Sequence, residues 1–146
     1  MSTNRSMTDR ITVLRHLLGA YTTTQTPSTG VDVKTLKTAE VIVDIGTVTN
    51  IANSPQPSWA FALQHSDTSN ASFTAVESTD VVLPDGGALG ASGLFATVDA
   101  AAEDDAVYRI GYVGGKRYIR VVATAANTPG STPIGVHIVG EPLQNF

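Results

Sequence analysis

From residue 40 onward, apolar and polar side chains alternate with a period of two, the pattern of strands with one covered face. Val41, Val43 and Ile45 stand opposite Ile42, Asp44 and Gly46, which predicts a strand that Thr47-Val48-Thr49 can extend. After the turn-rich Asn53 to Ser58, the residues Trp59, Phe61 and Leu63 share one side and Ala60, Ala62 and Gln64 the other, so this segment is the expected core strand. Ser66 to Asn70 reads as a loop, with an Asx turn at Asp67, and Phe73 to Val76 as the returning strand of a hairpin. Val81-Val82-Leu83 is a shorter apolar run before the turn Pro84-Asp85-Gly86-Gly87. Residues 86–105 are rich in Gly and Ala with weak periodicity, which predicts a long surface loop holding one helical turn through Val98 to Ala102. Ile134, Val136 and Ile138 alternate with Gly135, His137 and Val139 in a closing strand.

Val107 to Val113 and Lys116 to Ala123 flank Gly114-Gly115, a two-residue loop suited to turns that need positive φ. That hairpin would pair Ile110 with Ile119, Tyr108 with Val121 and Tyr112 with Arg117 on one side. Its other side would set Arg109 against Arg120, Val113 against Lys116 and Gly111 against Tyr118. Two facing arginines repel, so this side is expected to meet acids, from Asp44 or Asp80 or from another chain.

The first 37 residues differ. Thr8 or Asp9 can cap a short helix in which Ile11, Leu14 and Leu18 share a face, with Gly19 placed to stop it. So short a helix needs something to dock on, either its own domain or a neighbour, and Tyr21 to Gly30 reads as a polar linker. The predicted architecture is therefore an all-β antiparallel sandwich of jelly-roll type over residues 38–146, preceded by an arm over residues 1–37 that contains one short helix.

Composition agrees with sheet: 42% of the 146 residues are apolar, 15% are charged, and 19 Thr and 16 Val favour pleated structure. There is no cysteine, so neither a disulfide framework nor a thiolate metal site can form. No apolar run approaches the roughly 20 residues of a membrane helix, because Arg15 and His16 interrupt Ile11 to Leu18. The net charge of −4 hides a strong segregation. Arg5, Arg10, Arg15, Lys34 and Lys37 face only Asp9 and Asp32 in the first 37 residues, and ten acids with no Lys or Arg occupy residues 38–105. Arg109, Lys116, Arg117 and Arg120 face only Glu141 thereafter. Such segregation gives acidic and basic faces, unless the segments interleave in the sheet and neutralise locally.

Motifs for chemistry are absent at the spacing chemistry requires. His16, His65 and His137 stand apart, with no second ligand at metal-binding spacing. Gly111 to Arg117 has the look of a phosphate loop but lacks the magnesium-binding Ser/Thr and lies between strands. Gly90-Ala91-Ser92-Gly93 lacks the spacing of a nucleophile elbow, and Glu103-Asp104-Asp105 reads as a solvated loop. Neither catalysis nor a cofactor is expected. Lys116, Arg117 and Arg120 among Tyr112 and Tyr118 make too small a basic footprint for nucleic acid, and no membrane partner is expected.

Trp59-Ala60-Phe61-Ala62-Leu63-Gln64-His65-Ser66-Asp67 and the later Val107-Tyr108-Arg109-Ile110-Gly111-Tyr112-Val113-Gly114-Gly115-Lys116-Arg117-Tyr118-Ile119-Arg120-Val121 resemble a group of small virion proteins of tailed bacteriophages. The resemblance covers roughly residues 38–140; Thr68-Ser69-Asn70 depart from it, where the group often has glycine, and the first 37 residues lie outside it. It implies a head decoration, or cement, protein on the outer surface of the capsid, with the major capsid protein as partner and a homotrimer as assembly. On that reading Arg10, Ile11, Leu14, Arg15 and Leu18 anchor the arm, while Arg109, Lys116, Tyr118 and Arg120 form a second contact face. The alternative is a β-sandwich ligand- or carbohydrate-binding module of a phage tail or fibre or of a secreted protein. Its candidate aromatics are Tyr21, Tyr118 and Phe146, since Trp59 lies in the apolar stripe.

Overall fold

Side chains that alternate in polarity can be satisfied only if each strand covers one face, and the chain does this with ten strands in two antiparallel sheets. The computed structural model describes residues 10–143. Its strands are β1 (Thr12–Tyr21), β2 (Val31–Asp32), β3 (Ala39–Ile45), β4 (Ser58–Ser66), β5 (Thr74–Ala75), β6 (Val81–Val82), β7 (Leu94–Val98), β8 (Ala106–Tyr112), β9 (Tyr118–Ala126) and β10 (Thr132–Gly140). One sheet runs β1-β10-β3-β8-β6, and the other runs β2-β9-β4-β5 with β7 also on β4. Four pairings are nested: β1 with β10, β2 with β9, β3 with β8 and β4 with β7. A single long hairpin, bent between β4 and β7 and rolled so that strands alternate between sheets, gives this order, the double Greek key of a jelly roll. The predicted all-β sandwich is the observed fold.

The alternating residues fill the space between the sheets. Val41, Val43, Ile45, Ile110, Ile134, Val136 and Ile138 enter from one sheet, and Trp59, Phe61, Leu63, Ile119, Val121 and Ala123 from the other, all essentially without solvent contact. Each large side chain so buried is worth roughly 1.5–3 kcal/mol relative to exposure. The Trp59 indole N–H, the one polar atom of that side chain, donates to Thr132 Oγ1 at 3.0 Å.

Several expectations are corrected. The predicted N-terminal helix is strand β1, paired with β10 from Thr12 opposite Gly140 to Tyr21 opposite Thr132. A bulge between Arg15 and Leu17 inserts His16, so the large apolar side chains packed on the core are Leu14, Leu17 and Tyr21, with Thr12, His16 and Gly19 also half-buried. Those gaps of three and four residues imitate a helical stripe, whereas Leu14 points inward and Leu18 is 60% exposed. Thr8 and Asp9, its predicted caps, lie outside the described residues.

The presumed linker is the cover of an open sheet edge. Val31 and Asp32 pair with Ile119 and Tyr118, and Gln25 exchanges backbone hydrogen bonds with Ala123 at 2.8 and 3.0 Å. Between and beyond them, the Val121 N–H donates to His16 Nε2 and the Ala125 N–H to Thr24 Oγ1, each at 3.0 Å. Residues 16–33 thus occupy the donors of β9 that would otherwise template aggregation.

The predicted Gly114-Gly115 hairpin does not form, because β8 and β9 belong to different sheets. Ile110 lies beside Val41 and Ile119 beside His65, so the two isoleucines enter the core from opposite sides. Residues 113–117 cross between the sheets, and the positive φ values among the described glycines fall at Gly86, Gly93 and Gly130. Within the predicted long loop, Leu94–Val98 is β7, and the segment after it is a turn rather than helical. Thr47-Val48-Thr49 does not extend β3, although Val48 is buried. The hairpin return is the two-residue β5, pairing Thr74 and Ala75 with His65 and Gln64.

Candidate functional site

Register places side chains on the outer face of the β1-β10-β3-β8-β6 sheet in rows. Val13, Val139, Glu40, Gly111 and Val82 form one row, Arg15, His137, Ile42 and Arg109 the next, and Leu18, Gly135, Asp44 and Val107 a third. Val13, Leu18, Val82 and Val107 are each 57–62% exposed. These four aliphatics stand towards the corners of the uncovered face, with Glu40, Arg15, Arg109 and Asp44 interleaved between them. The charges balance, Arg15 and Arg109 against Glu40 and Asp44, with Arg109 reaching Glu40 at 3.5 Å.

Of the predicted contact residues, Arg15, Leu18 and Arg109 meet on this face. Arg10 is exposed and Ile11 half-buried at the start of β1, where both line a shallow cleft with Glu40 and Val139. Leu14 is withdrawn into the sandwich opposite Ile138. Arg120 and Tyr118 do not join them, since β9 carries them on the outside of the other sheet. Arg120 is moreover committed internally. Its guanidinium donates to Gln64 Oε1 at 2.8 Å and to the Pro27 carbonyl at 2.7 Å and lies 4.1 Å from the Phe73 ring centre. Burial lowers its pKa from the usual arginine value. The predicted repulsion between Arg109 and Arg120 therefore does not arise: Arg109 pairs with Ile42 and Arg120 with Gln64.

Lys116 belongs to a third place. It closes one end of the sandwich with Lys34, Lys37 and Arg117, around an open cleft of about 680 Å³ whose walls include Val33, Leu36, Tyr112 and Val113. All three lysines of the chain line it. Lys116 meets Asp67 at 2.7 Å, Lys37 meets Glu141 at 3.7 Å, and Arg117 meets Asp32 at 2.8 Å while lying over Tyr118. The Arg117 hydrogen bonds hold Asp32 below the usual carboxylate range. Lys34 enters no ion pair among the described residues. The local turn at Asp67 is made instead by Ser66, whose hydroxyl accepts the Thr68 N–H and donates to the Ala71 carbonyl.

Sequence spacing hid this cleft because its cations come from segments some 80 residues apart, joined only by the nesting of β2 with β9. It also hid a buried polar chain in the cleft wall. His65 Nδ1 lies 3.0 Å from the Tyr112 hydroxyl, which accepts the Lys116 N–H at 3.0 Å, and Asp80 stands 3.9 Å from His65 Nε2. The same hydroxyl lies 3.4 Å from the Lys116 carbonyl oxygen, and the chain latches the 113–117 crossover onto β4. Glu103 to Asp105 are likewise more than a solvated loop. Glu103 accepts the Asp99 and Ala100 N–H groups, Asp104 that of Val48, and Asp105 the Thr47 hydroxyl.

Among the described residues no three His, Asp or Glu side chains converge to hold a metal ion, and no helix is long and apolar enough to cross a membrane. No family model, curated protein or solved structure matches the chain.

Proposed function

We propose that the chain is a non-enzymatic virion structural protein, a decoration or cement protein bound to the outer surface of a tailed-bacteriophage head. Its partners on this reading are the major capsid protein and further copies of itself, a homotrimer being the expected assembly. The observation that carries the proposal is the outer face of the β1-β10-β3-β8-β6 sheet, which holds Val13, Leu18, Val82 and Val107, four of the six exposed large hydrophobic residues among the described ones. The resemblance of the Trp59 to Asp67 and Val107 to Val121 segments to small virion proteins points the same way. A jelly roll whose open β9 edge is already covered by residues 16–33 suits a protein that must sit on a surface without polymerising through strand edges.

The alternative, a ligand- or sugar-binding module, rests on the cleft at the lysine end. Its wall aromatic, Tyr112, is buried edge-on to His65, and Trp59 is wholly internal. Tyr21 packs against the core and Tyr118 lies beneath Arg117, so neither offers a free stacking platform; Phe146 lies outside the described residues.

Truncating residues 1–30 would remove β1 and most of the β9 cover, so point substitutions on the exposed face are used instead. The test is co-sedimentation of the purified chain with empty heads of the phage that encodes it, using wild type and the Leu18→Lys and Val107→Lys variants. Saturable binding by wild type, weakened roughly tenfold or more by either exposed substitution, is expected. Absence of saturable binding by folded wild-type chain overturns the proposal.

A further inference from the structure

The strand β8 separates two charged ends of the molecule. It is seven residues long, so its ends lie about 20 Å apart. The segment after it carries Lys116 and Arg117 into the lysine cleft. The segment before it is Asp99-Ala100-Ala101-Ala102-Glu103-Asp104-Asp105, four carboxylates on a slim loop of small side chains. None of these four acids has an ion-pair partner among the described residues; Glu103 and Asp104 accept backbone N–H groups, and Asp105 accepts the Thr47 hydroxyl. Asp99 is held above the usual carboxylate range by its hydrogen bond to Glu103 and the charge of that group, which marks a loop short of cations.

We propose that the lysine cleft of one copy receives the Asp99 to Asp105 loop of a second copy, joining molecules head to tail. The loop brings charge opposite to the rim residues Lys34 and Lys37, and its alanines are small enough to lie along Val33, Leu36 and Val113. Lys34 is unpaired among the described residues, and the exposed Lys37 to Glu141 contact, at 3.7 Å, is weak enough to exchange. Cleft and loop are different surfaces at opposite ends, so a copy engaged by its cleft alone leaves its own loop free for a further copy, and such contacts close into a ring or run on. This contact supplies a geometry for the self-association in the reading above, yet it concerns the chain alone and stands whether or not a capsid is the partner.

The test is sedimentation velocity on the full-length chain, over a range of concentrations at roughly 0.01 M and roughly 1 M salt, where the screening length falls from about 30 Å to about 3 Å. Wild type should associate at low salt and dissociate at high salt. Lys34→Glu with Lys37→Glu, and separately Asp99→Lys with Ala102→Lys, should each weaken association roughly tenfold or more, and mixing the two variants should restore it. All four positions are exposed, so unchanged thermal midpoints are expected to confirm the fold of each variant. A wild type monomeric throughout, association indifferent to both pairs of reversals, or folded variants that do not recover on mixing would each overturn the proposal. Failure here with capsid binding intact sinks only the head-to-tail contact; the converse sinks only the capsid reading.

Discussion

His16 Nε2 accepts the backbone N–H of Val121 at 3.0 Å, so a side chain from the edge strand of one sheet completes the edge of the other. The bulge in β1 makes this reach available, and the acceptor works only while the imidazole is neutral. Burial, with the nearby Arg120 charge, lowers the pKa from 6.5 to about 4, which keeps the ring in the neutral form that accepts the Val121 N–H. In the unfolded chain His16 takes up its proton near 6.5, so between that value and about 4 the unfolded state binds more protons than the folded one. The stabilisation is complete above pH 6.5 and is lost as pH falls through that window, in total about 3 kcal/mol at roughly 1.4 kcal/mol per unit. Replacing His16 with Gln, which keeps an acceptor without a titrating ring, should flatten this part of the profile. Denaturant melts of both proteins from pH 7 to 4 decide it; parallel profiles would refute the role of His16.

Leu14 and Leu18 would share a face if residues 11–18 were helical, and β1 places them on opposite sides. Leu14→Ala should cost about 1–2 kcal/mol, since the side chain is half-buried against the core, whereas Leu18→Ala should stay within about 0.5 kcal/mol. Equal losses in urea melts would contradict the strand.

The contrast between these two leucines also shows where sequence periodicity is informative. Trp59, Phe61 and Leu63, and likewise Val41, Val43 and Ile45, lie in strands without a break in register opposite β9 and β8, so their alternation survives intact and the core is legible. The extra residue His16 converts a two-residue period into spacings of three and four, which no local rule separates from a helix. Gly114-Gly115 misleads for another reason: a glycine pair between two alternating runs is the signature of a hairpin, and only the competition of β3 for β8 and of β4 for β9 sends the runs to different sheets. β7 is hidden because Ala96 and Thr97 carry little contrast and its pairing with Phe61 and Ala62 is bulged. Of the residues assigned to the proposed contact surface, Arg15, Leu18 and Arg109 lie on one sheet face. The lysine cleft was not, because it depends on the nesting of strands far apart in sequence.

Tyr112 is the keystone of the cleft wall, since its hydroxyl joins the Lys116 N–H to His65 at 3.0 Å on each side. Tyr112→Phe leaves a buried imidazole nitrogen and a backbone N–H without their partner, and should cost about 1–3 kcal/mol. The loss should be local as well as global. Amide hydrogen exchange at Lys116 is expected to accelerate more than that at Val121, whose partner His16 is untouched; uniform acceleration would show that the latch is not a local one.

Gly93 enters β7 with φ at +79°, and a Cβ there would collide with the Leu63 carbonyl oxygen. The strain arises from both directions. The left-handed backbone costs an L residue about 1–2 kcal/mol, and the colliding atom is backbone of the central strand β4, which cannot swing aside as a side chain could. Relief would require β7 to withdraw from β4, exposing the buried Ala96 and Val98. Gly93→Ala should therefore destabilise by at least about 2 kcal/mol, while Gly115→Ala, where a Cβ meets nothing within 4 Å and φ is not positive, should be nearly neutral. Thermal unfolding of the two variants side by side checks the prediction. Comparable midpoints would mean that β7 does not press on β4 as closely as its register requires.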